Sequence, residues 1–244
     1  MSKYLGHRKT ESLLFQYIKI LPPRQFYDMM PGMSEIFLRW KKAASQKRFW
    51  LFCFFGLLFL ASAFLFTVLS GKFADSRGGA SLSDLLLDRL PVVNLDFLNT
   101  WGFLFIVFAF ALSVAVYQPG EIPFVLISVA LFASIRSGFI ALTYIGAPAD
   151  ILKLSWDEGF LRHLSFTNDL FFSGHTGLPF LAFLLVRKGW VKKFFLGASF
   201  VMGTSVLLTH THYSIDVFAA FFITYAIFKI SERFFGHLRP ASAS

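Results

Sequence analysis

From residue 49 onward the chain is a series of long apolar runs divided by short polar breaks. A helix needs about 20 apolar residues to cross the roughly 30 Å of bilayer hydrocarbon. Runs of that order fall at 49–70, 98–117, 122–146, 171–186, 194–209 and 213–230. The fourth and fifth are short as purely apolar stretches. They reach spanning length only when the polar residues around Ser173 and His210 belong to helix ends. The pattern predicts an all-α integral membrane protein with six transmembrane helices, contained in residues 49–232.

The first 48 residues follow another pattern. Leu13, Leu14, Tyr17, Ile18 and Leu21 recur near helical spacing until Pro22-Pro23 ends it, and a second apolar and basic stretch covers 33–40. Such segments suit amphipathic helices lying on the cytoplasmic face, with basic residues among the headgroups. A docking surface for a partner is the other reading. Residues 1–48 are thus expected to form a cytoplasmic arm, and residues 233–244 a cytoplasmic tail with a frayed Ala-Ser-Ala-Ser end. The first apolar run starts too far along the chain for a cleavable signal peptide.

Charge orients the spans. Of the 23 Lys and Arg residues, ten precede residue 49. Arg187, Lys188, Lys192 and Lys193 follow the fourth run, and Lys229, Arg233 and Arg239 close the sixth. The alternate connections hold only Lys72, Arg77, Arg89, Lys153 and Arg162, while Arg136 sits inside the third run. Cytoplasmic loops collect Lys and Arg, so both termini are placed in the cytoplasm. Connections 71–97, 147–170 and the tight turn 210–212 then face the periplasm or a lumen. A bacterial inner membrane is the favoured setting, an organelle membrane the alternative.

Composition narrows the class. The chain is 56% hydrophobic, above the 45–50% usual for soluble domains. Its net charge of +9 lies beside apolar runs, where it sets topology and meets anionic headgroups instead of reading nucleic acid. The single cysteine, Cys53, lies within the first run, which excludes a disulfide framework and a cysteine-based metal site.

Against this apolar background two polar stretches stand out: Asn168-Asp169-Leu170-Phe171-Phe172-Ser173-Gly174-His175-Thr176 and His210-Thr211-His212-Tyr213-Ser214-Ile215-Asp216. Ionisable groups at membrane depth are costly and mark function. His212 and Asp216 are four residues apart, so on a helix they share a face within hydrogen-bonding reach. A carboxylate on one imidazole nitrogen sets the tautomer and leaves the other as a lone-pair donor, able to attack phosphorus. His175, carried to the same outer face, can move the proton of the leaving or entering oxygen. Ser173 suits a helix cap, and Gly174 lets backbone amides approach an anion. His210 either caps the turn or touches a headgroup. A His210–His212–Asp216 metal site is a minor alternative; no metal or organic cofactor is expected. Arg136 either meets phosphate or pairs with a carboxylate such as Asp169. His7 and His163 read as ordinary loop residues.

These motifs resemble the second and third signatures of the type 2 phosphatidic acid phosphatase (PAP2) superfamily, and more closely its sphingomyelin synthase-like branch. That branch carries Cys-Gly-Asp-x-x-Phe-Ser-Gly-His-Thr, matched here by Asp169, Phe172, Ser173, Gly174, His175 and Thr176, with Thr167 and Asn168 in place of Cys and Gly. Its later signature, His-x-His-Tyr-Thr-x-Asp-Val, is matched by His210, His212, Tyr213, Asp216 and Val217, with Ser214 for Thr. Arg136 with Thr143 resembles a weaker motif, and the stretch from Leu90-Pro91 to Asp96 loosely echoes the first. The resemblance covers about residues 90–230. It implies a six-helix PAP2-like bundle, a phosphohistidine on His212 supported by Asp216, and His175 as general acid and then base. It further implies Arg136, Asp169, Ser173, Gly174, Thr176, His210 and Tyr213 as substrate-binding positions.

The departures are informative. Ordinary superfamily members carry Lys-x6-Arg-Pro and Ser-Arg-x5-His-x3-Asp. Here the only Arg-Pro is Arg239-Pro240 in the tail, and Val206 follows Ser205 at the arginine position. A phosphomonoester carries up to two charges and recruits several cations; their loss favours a monoanionic phosphodiester. The expected partners are therefore a phospholipid donor and a lipid acceptor, with a phosphocholine or phosphoethanolamine headgroup moved to a lipid alcohol or to water. A lipid or polyprenyl phosphate phosphatase is the alternative enzyme, and a non-catalytic lipid-binding or transport protein a further one.

Overall fold

The computed structural model describes residues 31–152 and 166–240. The helix expected over 13–21, the loop residues Lys153, Arg162 and His163, His7, and the last four residues lie outside them. The chain divides into two units, Met1–Leu38 and Arg39–Ser244. In the first, Gly32 accepts the Glu35 and Ile36 amides and opens helix α1, Met33–Ala44, with Met33, Phe37 and Leu38 exposed.

The second unit holds the remainder of α1 and six further α-helices. These are α2 (Lys47–Arg77), α3 (Phe103–Tyr117), α4 (Ile122–Leu142), α5 (Gly174–Leu185), α6 (Gly189–Leu208) and α7 (Ser214–Phe235). Among the described residues there is no strand, only an isolated bridge between Ala80 and Ile145. Five helical stretches are long and apolar enough to cross a membrane: Lys47–Arg77, Leu98–Tyr117, Pro119–Leu142, Gly189–Leu208 and Ser214–Leu238.

The fourth expected span differs. Its helix, α5, has 12 residues, or about 18 Å at 1.5 Å per residue, short of the hydrocarbon thickness. Phe171 and Phe172 take positive φ angles of 79° and 39°, a backbone that L-residues rarely adopt and that no helix continues through. Irregular backbone at membrane depth persists only inside protein. Phe172 is accordingly fully buried, with its ring edge-on to Phe132 and Phe139. The third span also ends sooner than expected, at Leu142, and Gly146 instead donates its amide to Ala80.

Packing separates the buried helix faces from the exposed apolar ones. Helix α2 lies against α4: Gly56 sits so close to Leu126 that an added methyl would fall 2.9 Å from its Cβ, and Thr67 meets Ser137 at 2.9 Å. The rest of α2 exposes Trp50, Phe54, Phe55, Phe64 and Leu65. Helix α5 is central, its Leu181 and Leu185 buried with Phe124 and Phe132 of α4, Phe195 and Met202 of α6 and Ile227 of α7. Helix α3 adds Ile106, Phe110 and Val114.

The two ends of this bundle differ in charge. At one, buried Glu121 pairs with Arg187 and with Arg239 at 3.1 Å, and Arg239 also reaches Glu232 at 3.2 Å. Gln118 ties the same end by donating to the Leu185 carbonyl and accepting the Arg187 amide. At the other end lie the start of α3, the end of α4, and the starts of α5 and α7.

Candidate active site

Three chain segments build the site. The first is the start of α5. Ser173 caps it, its hydroxyl accepting the Thr176 amide at 3.4 Å, and its own amide donates to the Asp216 carbonyl at 3.0 Å. That single backbone bond joins the segment carrying His175 to the first turn of α7. Gly174 has a spatial reason: a Cβ there would sit 3.2 Å from Arg136 Nε. Its small size admits a guanidinium against the helix start.

The second segment is the entry to α7. His212 is not on the helix, as its spacing from Asp216 suggested, but two residues before its first residue, Ser214. The pair still meets, because Asp216 folds back in the first turn. One carboxylate oxygen accepts both the Tyr213 amide at 3.1 Å and His212 Nδ1 at 3.2 Å. An ionised carboxylate only accepts, so Nδ1 carries the proton and Nε2 keeps its lone pair. Asp216 is fully buried, and His212 is nearly so. The aspartate's other oxygen is buried without a hydrogen-bond partner in the structure.

The third segment starts α3. A five-residue π turn, Leu98–Gly102, precedes the helix, a distortion that often re-aims groups at functional sites. His175 Nε2 lies 3.2 Å from the Asn99 carbonyl, and its ring lies against Phe103, tilted by 40° with centroids 4.3 Å apart. The Asn99 side chain is fully buried and donates to Thr209 at 2.9 Å while accepting from Ser205. One asparagine therefore touches His175 through its backbone and the end of α6 through its side chain.

Arg136 is committed to Asp169. Its guanidinium makes a two-pronged contact with the carboxylate at 3.0 and 2.9 Å and also reaches the Asp169 and Phe172 carbonyls. The pair is mostly buried, at 12% and 19% exposure. Breaking such a pair strands a buried charge, which costs about 3–5 kcal/mol when burial is complete. Arg136→Gln should therefore lower the thermal midpoint of the purified protein by several degrees, and Asp169→Asn in the same chain should return part of it. An Arg136→Gln protein as stable as wild type would mean that water already solvates the pair.

The remaining expected residues are placed less centrally. Tyr213 is buried, but its hydroxyl turns away, donating to the Gly146 carbonyl at 2.9 Å and accepting the Leu82 amide at 2.9 Å. His210 has φ 53° and meets the Leu90 carbonyl at 3.3 Å, the geometry of a turn residue. The Thr176 hydroxyl is buried without a hydrogen-bond partner in the structure. Among the described residues, no three His, Cys, Asp or Glu side chains are grouped to hold a metal.

Residues 167–233 match the PAP2 superfamily C-terminal model. This supports membership of the PAP2 superfamily. The matched PAP2 stretch contains both histidines, Asp169, Ser173, Gly174 and Asp216, while Arg136 and Asn99 precede it. No curated protein and no solved structure matches the chain. The motifs of the sequence did not point to Asn99, the buried neighbour of His175. Its one signal was an amide beside Leu98 at the head of an apolar run.

Proposed function

We propose that the protein moves a phospho-headgroup from a glycerophospholipid to a lipid alcohol or to water, as the sphingomyelin synthase-like branch would. The observation that carries this is the Asp216–His212 contact, which leaves His212 Nε2 as the nucleophile beside the start of α5. In the first half-reaction Nε2 attacks phosphorus and the bond to the diacylglycerol oxygen breaks. His175 donates the proton that oxygen takes up. In the second, His175 removes a proton from the acceptor hydroxyl, whose oxygen attacks phosphorus as the bond to Nε2 breaks. Asp216 stays ionised and offsets the positive charge on the His212 ring.

The charge balance favours a phosphodiester. Arg136 is neutralised by Asp169, and Val206 stands where phosphomonoester-binding members carry arginine. A monoanionic donor asks less of such a site than a dianionic phosphate does. Helix α5, with the irregular chain before it, serves in this reading as the sixth membrane crossing. The basic residues gathered at the Glu121 end support a periplasmic or luminal face for the histidines.

The test is purified protein in mixed micelles offered headgroup-labelled phosphatidylcholine, phosphatidylethanolamine and phosphatidate, with and without ceramide. Diacylglycerol together with a labelled acceptor lipid is the expected result, and labelled phosphocholine or phosphoethanolamine if water accepts. Inorganic phosphate from phosphatidate alone would establish the phosphatase instead.

A further inference from the structure

The loop between α2 and α3 carries a carboxylate in an unusual setting. Asp84 is buried, at 8% exposure, although it lies in a polar connection where acids ordinarily face water. One of its oxygens accepts the Leu86 and Leu87 amides at 2.9 and 3.0 Å. The other accepts the Ser214 amide at 2.7 Å and the Ser214 hydroxyl at 2.8 Å. Ser214 is the first residue of α7, midway between His212 and Asp216.

A helix start leaves backbone amides without intrahelical partners, and a side chain just before it ordinarily takes one. Here the capping position is Tyr213, whose hydroxyl is occupied elsewhere. Asp84 takes the amide instead, from 130 residues away in the chain. Its negative charge also suits the positive end of the helix. The same loop grips both flanks of His212: the Leu82 amide reaches the Tyr213 hydroxyl, the Leu90 carbonyl meets His210, and the Val93 amide donates to Leu208 at 2.8 Å. Burial pushes the Asp84 carboxyl up, but the bonds from Leu87, Ser214 and Leu86 outweigh it and hold it below its ordinary 3.8. It is therefore charged at neutral pH.

We infer that Asp84 is a positioning residue for phosphoryl transfer: it clamps the start of α7, and so holds the His212–Asp216 pair in place against His175. The inference rests on the function proposed above. Asp84 touches no reacting atom, and its effect passes through Ser214. Asparagine is the sharp substitution, because it keeps the shape yet turns one oxygen into a donor. Either the Leu86 and Leu87 amides or the Ser214 amide then faces another N–H.

The test uses the full-length protein in micelles, wild type beside Asp84→Asn and Asp84→Glu. Turnover is measured on the preferred phospholipid, and hydrogen exchange is followed by mass spectrometry over the start of α7. For Asp84→Asn, kcat should fall about 10- to 100-fold, the scale of a small misplacement of reacting groups, with KM within about twofold. Exchange at Ser214–Val217 should quicken, and Asp84→Glu, which keeps the charge, should recover part of both. Unchanged kcat overturns the inference, as does a lower kcat with unchanged exchange. Should Asp84→Asn fail to fold, Ser214→Ala carries the test, since it removes only the hydroxyl bond. A lower kcat at constant KM supports the clamp, and an unchanged kcat overturns it. Wild-type protein inert toward every donor overturns the function proposed above and this role in catalysis with it. Exchange then still reports whether Asp84 holds the helix start.

Discussion

His212→Ala should abolish turnover while leaving a folded protein. A nucleophile that forms and then releases the phosphoryl bond serves both half-reactions, so its removal is expected to lower kcat on the order of 10⁴- to 10⁶-fold, as in other covalent sites. The fold should tolerate the loss. Asp216 keeps the Tyr213 amide at 3.1 Å, and Ser173 keeps its bond to the Asp216 carbonyl at 3.0 Å, so the join between α5 and α7 does not depend on the imidazole. The assay is headgroup release by mass spectrometry, paired with a melting curve. A phosphoryl-linked peptide containing residue 212, recovered from rapidly quenched wild type and missing from the variant, would identify the intermediate. Activity within tenfold of wild type would exclude His212 as the nucleophile.

His175→Ala should behave differently, because proton transfer matters only as much as the oxygen needs it. Against a natural glycerophospholipid the loss should be about 10²- to 10⁴-fold, the usual contribution of a positioned acid or base. A donor with a nitrophenolate leaving group needs no proton to depart. With it the first step should proceed at close to the wild-type rate, as a burst of one nitrophenol per protein. The second step still lacks its base, so label should accumulate on His212. The site suits a proton carrier that must hold its position: His175 packs against the Phe103 ring at 4.3 Å and meets the Asn99 carbonyl at 3.2 Å. Equal losses on both donors, with no burst, would assign His175 to binding instead of proton transfer.

How much of this was legible beforehand depended on the range of the interaction. The contact of His212 with Asp216 was readable, since the two are four residues apart and one turn brings them together. Its form was not. Spacing suggested two residues on one helix face, whereas the helix begins between them and Asp216 folds back as part of the capping arrangement. Ser173 was readable as a cap for the same local reason. Gly174 was explained by anion approach, but it lies against Arg136, a contact between residues far apart in the chain. Arg136 itself had two readings, and the structure shows the pairing with Asp169. The fourth run read as short, but the start of α5 only at Gly174 was not legible, because hydropathy registers Phe171 and Phe172 as apolar and says nothing of their positive φ angles.

The sequence by itself determined that this is an all-helical chain with several membrane-spanning helices, and which two polar motifs bring histidine and aspartate to the ends of its apolar runs. Hydrophobic periodicity, run length and motif spacing are properties of neighbouring residues, and the cost of leaving charge or bare backbone in hydrocarbon enforces them. Only the tertiary structure decided what surrounds those motifs: Asn99 behind His175, Asp169 on Arg136, and Asp84 on the first turn of α7. Each joins segments 33 to 130 residues apart through hydrogen bonds. Such contacts leave no periodic trace, because they arise when buried polar groups find partners after the helices have packed.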